Sequence, residues 1–170
     1  MTRRPGRWRG FTLIELLVVV AIVGILTTTV ALTLPDTPQR STTNEARRLA
    51  ALLETALTES LTGRRLLAFS AHADGDGYDF FYADDPMERP PRWLPLTDDA
   101  QLRARPLAAD VRIATIELDG QPLPPGGLLI FRRGDPPLFR MALRTNKDAH
   151  LQPITLRSLA NGKVLIDSEP

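Results

Sequence analysis

From Phe11 to Leu34 the chain is apolar at almost every position, and Glu15 is the only charge in those 24 residues. As a helix the run reaches about 36 Å at about 1.5 Å per residue, enough to cross a bilayer core of about 30 Å. Pro35-Asp36-Thr37-Pro38 interrupts it, because proline removes a donor and clashes with the preceding turn. The period then becomes amphipathic. Leu49, Leu52, Leu53, Ala56, Leu57 and Ser60 recur at helical spacing and predict a second helix, whose apolar stripe packs on the protein's own sheet. Ser41 or Thr42 is its expected cap, with Glu45 completing a capping box three residues after Thr42, and Thr62-Gly63 its expected end.

From Leu66 onward the pattern is one of short strands. Leu66–Ala71 and Tyr78–Ala83 flank Asp74-Gly75-Asp76-Gly77 and read as a hairpin. Trp93–Leu96, Val111–Leu118, Leu128–Arg132, Leu138–Leu143, Ile154–Leu159 and Val164–Asp167 follow, separated by turn-forming residues. Asn161-Gly162 between the last two is a second hairpin signal. One long helix followed by many short strands predicts an α+β protein with antiparallel sheets.

Composition changes the picture at the N-terminus. Arg3, Arg4, Arg7 and Arg9 fill a ten-residue leader that has no acid, and hold that side of an apolar span in the cytoplasm. Cleavage after Gly10 takes the basic count from 21 to 17 (21 − 4), against 20 acidic residues. That balance makes no electrostatic case for a nucleic-acid binder. The apolar run is too long for a secretory signal peptide, and no small-residue cleavage site follows it before Pro35. An ordinary anchor gives no use to a carboxylate inside the run. Cleavage before Phe11 does: the new α-amino cation then lies four residues from Glu15 on one helix face.

Arg9-Gly10-Phe11-Thr12-Leu13-Ile14-Glu15-Leu16-Leu17-Val18 resembles the N-terminal signal of type IV pilins and type II secretion pseudopilins. The resemblance implies that a prepilin peptidase cuts between Gly10 and Phe11 and N-methylates Phe11. It also implies that Glu15 pairs with a terminal amine and sets the register of assembly. The implied layout is a leader over 1–10, a transmembrane and filament-core helix over 11–34, an amphipathic continuation over 35–63, and a β-rich periplasmic domain over 64–170. The fold implied is pilin-like, a long N-terminal helix packed on an antiparallel β-sheet domain. Tyr78-Asp79-Phe80, Arg92-Trp93-Leu94-Pro95-Leu96, Leu128–Phe131 and Phe139–Leu143 are more loosely similar to the H-type minor pseudopilins.

For an H-type chain the resemblance implies a structural subunit near the tip of a periplasmic pseudopilus that serves export of folded proteins. Its implied partners are the major pseudopilin, minor pseudopilins I, J and K, the prepilin peptidase and the inner-membrane assembly platform. The implied location is a single pass through the bacterial inner membrane with the C-terminal domain in the periplasm. A minor type IV pilin of the DNA-uptake kind is the alternative. It calls for a basic loop or tail, whereas this chain ends Asp167-Ser168-Glu169-Pro170.

No catalytic residues, metal or cofactor are expected. Asp74, Asp76, Asp79 and Asp85 fit the spacing of a calcium loop poorly, with Tyr78 at a ligand position. His72 and His150 are far apart, the chain has no cysteine, and no G-x-S-x-G motif is present. Asp84-Asp85 and Asp98-Asp99 read as solvated loop charges. Arg132-Arg133, or Arg144 with Lys147, read as a scattered solvent face in preference to a basic patch. Asp84–Pro91, rich in proline and charge, reads as a mobile excursion.

Overall fold

The computed structural model describes residues 12–33, 37–63 and 65–168, without the side chains of 25–33 and 168. Two compact units emerge, Met1–Pro35 and Asp36–Pro170. The first holds helix α1, Leu13–Thr33. The helix begins two residues later than the apolar pattern suggests. Thr12 precedes it, and its Oγ1 accepts the Glu15 N–H at 3.3 Å, as a capping threonine does for the third helical residue. Among the described residues no helix is long and apolar enough to cross a membrane. Side chains of α1 are described only to Gly24, while its helical backbone continues to Thr33.

The second unit opens with α2, Pro38–Leu61. The expected start at Ser41 or Thr42 is wrong. Thr37 is the N-cap and Pro38 the first helical residue, where a fixed φ and a missing N–H cost nothing. The capping box therefore does not form. Thr42 Oγ1 donates to the Pro38 carbonyl at 2.9 Å, and Glu45 pairs with Arg48 at 2.8 Å. The far end is as expected: Thr62 is the C-cap, and Gly63 at φ 76° donates its N–H to the Ser60 carbonyl. Of the predicted stripe, Leu49, Leu53, Ala56, Leu57 and Ser60 are buried and Leu52 lies partly buried against the core.

Ten strands follow: β1 Leu67–Ala71, β2 Gly77–Ala83, β3 Trp93–Pro95, β4 Arg105–Pro106, β5 Val111–Leu118, β6 Gln121–Pro122, β7 Leu129–Phe131, β8 Phe139–Thr145, β9 Ile154–Ser158 and β10 Val164–Ser168. β4 and β6, two residues each, carry no periodicity and are absent from the sequence reading. The strands form two antiparallel sheets. One runs β3-β2-β1-β7, with β4 also on β2, and the other runs β10-β9-β8-β5-β6. Both predicted hairpins are present, β1 with β2 and β9 with β10.

α2 packs against β1 and β7 of the first sheet and β5, β8, β9 and β10 of the second, so one helix face serves both. Phe69, Tyr78 and Phe80 form an aromatic cluster under it, with ring centroids 5.4–5.7 Å apart. Burial raises the Tyr78 phenol above its ordinary value, although Arg48 and Arg105 nearby act the other way. Along β8, Phe139, Met141, Leu143 and Thr145 alternate inward, the period of a strand with one covered face.

Candidate functional site

Sequence reasoning places the functional residues at the start of α1. Gly10 and Phe11, the expected cleavage and methylation positions, lie outside the described residues. Glu15 lies in the first turn of α1, where a negative charge complements the helix dipole. Its backbone N–H is held twice by Thr12, through the carbonyl at 3.1 Å and through Oγ1 at 3.3 Å. Thr12 is the residue the sequence reading passed over. Thr12-Leu13-Ile14-Glu15 has the threonine and glutamate spacing of a capping box, so the signal was available in the chain itself.

The surroundings of Glu15 are apolar and open. Leu13, Ile14, Leu16, Leu17, Val18, Val19, Val20, Ile22 and Val23 are all exposed in this chain. Being nearly consecutive, they cover every side of the helix. A helix apolar all round is stable only when lipid or other helices surround it. In such surroundings a lone carboxylate needs a cationic partner, since an unpaired buried charge is strongly unfavourable.

Other candidate residues resolve differently. Asp74, Asp76, Asp79 and Asp85 do not converge. His72 lies between two of them, with Nδ1 3.1 Å from Asp76 Oδ1 and Nε2 3.2 Å from Asp79 Oδ2. Asp85 Oδ1 instead accepts the Met87 N–H at 2.8 Å. Among the described residues no group of three His, Cys, Asp or Glu is placed to hold a metal ion. Asp99 is more than a solvated loop charge. It accepts the N–H groups of Leu102 and Gln101, each at 2.9 Å, and pairs with Arg65 at 3.6 Å. Those two backbone bonds, Leu102's first, hold its carboxyl below the ordinary value.

The basic residues also separate. Lys147 pairs with Asp110 at 3.7 Å, and Ser41 Oγ donates to the same carboxylate at 3.1 Å. Arg132 and Arg133 join Arg65 and Arg89 in lining, with Met87 and Trp93, a cavity of about 590 Å³. Sequence distance hid this group, because its members come from three separate segments.

These features can be set beside known proteins. Residues 9–31 match the "Prokaryotic N-terminal methylation motif". The chain carries this motif, and its fold is pilin-like. Within that class it is similar to "Type II secretion system protein H" of Pseudomonas aeruginosa, at 36% identity over 119 residues. The match takes in 68% of this chain, which spans 62% of the relative's length. In structure the chain resembles the minor pseudopilin EpsH from the Type 2 Secretion System of Vibrio cholerae. Two structures of EpsH match with a TM-score of 0.56, at 12% and 14% identity over 75% and 76% of this chain and 97% of EpsH. The fold is thus α+β and pilin-like, as the sequence predicts.

Proposed function

We propose that this chain is a minor pseudopilin of a type II secretion system, a structural subunit without catalysis of its own. The observation that carries the reading is the union, in one chain, of a methylation motif at 9–31 with an EpsH-like ectodomain related to protein H. Prepilin peptidase removes residues 1–10 between Gly10 and Phe11 and methylates the Phe11 amine. The mature helix anchors the chain in the inner membrane by a single pass, with 36–170 in the periplasm. In the filament α1 becomes core, surrounded by other apolar helices, and this supplies the cover its exposed side chains need.

Glu15 pairs with an N-terminal amine, its own or a neighbour's. Low dielectric strengthens the pair, and displacement along the filament separates it, so it fixes axial register. The ectodomain sits near the pseudopilus tip and meets the major pseudopilin and pseudopilins I, J and K. The inner-membrane platform drives assembly, and folded proteins leave through the outer membrane.

The test has two arms. Intact mass and N-terminal analysis of the full chain, expressed with and without prepilin peptidase, should give a mature chain starting at N-methylated Phe11 only with the enzyme. Expression in a secretion-competent host lacking its own protein H should restore export. An uncut chain rejects the site assignment. A cut chain that fails to restore export and binds DNA in a salt-dependent way rejects secretion in favour of uptake.

A further inference from the structure

Five strands of the ectodomain lie at sheet edges: β3, β4, β6, β7 and β10. An edge strand presents unpaired N–H and C=O groups that template another strand, and proteins usually blunt it. Four of the five are blunted. β3 has three residues and ends in Pro95, while β4 and β6 have two each and contain Pro106 and Pro122. β7 has three residues and runs directly into Arg132-Arg133. β10 is different. Its five residues, Val164-Leu165-Ile166-Asp167-Ser168, include no proline, lysine or arginine. Leu165 and Ile166 are 41% and 37% exposed.

The backbone of β10 determines which groups are free. The Leu159 N–H donates to the Lys163 carbonyl at 2.8 Å, so Lys163 turns its carbonyl toward β9 and sets the phase of the alternation. By antiparallel alternation Leu165 and Asp167 face β9, while Val164, Ile166 and Ser168 turn their N–H and C=O outward. Val164 agrees: its N–H leaves the sheet and donates to Glu54 Oε1 at 2.8 Å. The next outward pair belongs to Ile166, and neither its N–H nor its C=O has a partner among the described residues.

We propose that the outer edge of β10 at Ile166–Ser168 is a docking site for an extended apolar segment of a different protein, added as a strand with a basic residue beside Asp167. Backbone groups at a sheet edge are satisfied in register only by another extended chain. Exposed Leu165 and Ile166 make the neighbouring side-chain positions apolar. Asp167 is about half exposed, and Arg157 Nε donates to its Oδ2 at 3.4 Å, which leaves Oδ1 for a cation across the edge.

A second copy of this chain is a poor occupant. Antiparallel self-pairing centred on Ile166 needs the Val164 N–H, which Glu54 holds. Self-pairing centred on Asp167 avoids that conflict but sets two carboxylates opposite each other, which is destabilising. Glu54 thus acts as a register stop. It closes the first outward donor and leaves the edge open only from Ile166 onward.

The test uses the full-length chain in detergent and a blocked seven-residue peptide alternating valine and threonine around a central lysine. Hydrogen exchange is followed at single amides. Saturating peptide should slow exchange at Ile166 and Ser168 by about tenfold or more, the equivalent of one new hydrogen bond, and leave Val164 unchanged. Ile166→Pro removes an outward N–H that β9 does not use and should weaken binding by about tenfold. Leu165→Lys, at an exposed position that does not test folding, should also weaken it. Asp167→Lys should reverse the preference towards a peptide with a central glutamate. Three results overturn the proposal: no slowing at Ile166 with saturating peptide, equal binding by a folded Ile166→Pro variant, or sedimentation showing a homodimer that Ile166→Pro dissolves.

Discussion

Glu54 of α2 and Val164 of β10, 110 positions apart in sequence, are joined by one hydrogen bond of 2.8 Å from the Val164 N–H to the carboxylate. The bond fastens the helix to the outermost strand of the second sheet. It also occupies the first outward donor of β10. Replacing Glu54 by alanine leaves the Val164 N–H at the sheet rim without its acceptor. Glu54→Ala should lower stability by about 1–3 kcal/mol, the range for a hydrogen bond to a charged group, and Glu54→Gln by much less. Urea unfolding of residues 36–170 measures both. Equal stability of Glu54→Ala and wild type would remove the fastening role.

A second prediction concerns the turn between β1 and β2. Gly75 has φ 66°, and a Cβ there would run into the Ile113 carbonyl of β5. The Gly75 carbonyl also accepts the Ile113 N–H at 2.9 Å. A turn of the first sheet is thereby locked to a strand of the second. Gly75→Ala combines an unfavourable φ with a backbone collision and should cost more than about 1 kcal/mol. Gly120, also at positive φ but with open space around its Cβ position, is the control and should lose less on the same change. Thermal unfolding of the two variants decides between them.

Asp99 should give the ectodomain part of its acid sensitivity. Its carboxyl is held below the ordinary value of 3.8 by the Leu102 and Gln101 N–H groups. A group depressed in the folded state contributes stability above its unfolded pKa and loses that contribution as pH falls through the folded one. Asp99→Ala should therefore be less stable than wild type at pH 7. The difference should shrink as pH falls below about 3.8, with both charge and bonds lost on protonation. Urea midpoints for the two proteins from neutral pH to about pH 2 trace this, and a constant difference across that range would contradict it.

The fourth prediction separates processing from assembly. If Glu15 serves register, Glu15→Leu should leave the helix intact and cleavage before Phe11 unchanged. Incorporation into filaments should fall by about tenfold or more, since the paired amine is then left alone in apolar surroundings. Mass analysis reads the first effect, and the chain's share in sheared pseudopilus fractions reads the second. Thr12→Ala should weaken the start of α1 by about 1 kcal/mol, the usual worth of a cap, whether or not assembly is affected.

What the sequence alone determined is what short-range periodicity and single motifs encode. The methylation signal is ten contiguous residues, so no folding is needed to see it. The stripe Leu49, Leu53, Ala56, Leu57 announces α2 because burial at helical spacing is a local pattern. Asp74–Gly77 and Asn161-Gly162 announce hairpins because turn chemistry is local too. The start of α2 was misread because two polar cap signals, Ser41 and Thr42, competed with the stronger preference of Pro38 for the first helical position.

Only the tertiary structure decided how the strands divide into two sheets and which of them became edges. Pairing joins residues far apart in sequence, such as Leu67 with Phe131, and nothing local to either specifies the other. β4 and β6 exist only because a neighbouring strand offers hydrogen bonds to two residues that have no strand period of their own. The Arg65–Asp99 pair and the Glu54–Val164 bond arise for the same reason. Each depends on which distant backbone or side chain the fold brings within about 3–4 Å, and at that range hydrogen bonds and ion pairs begin.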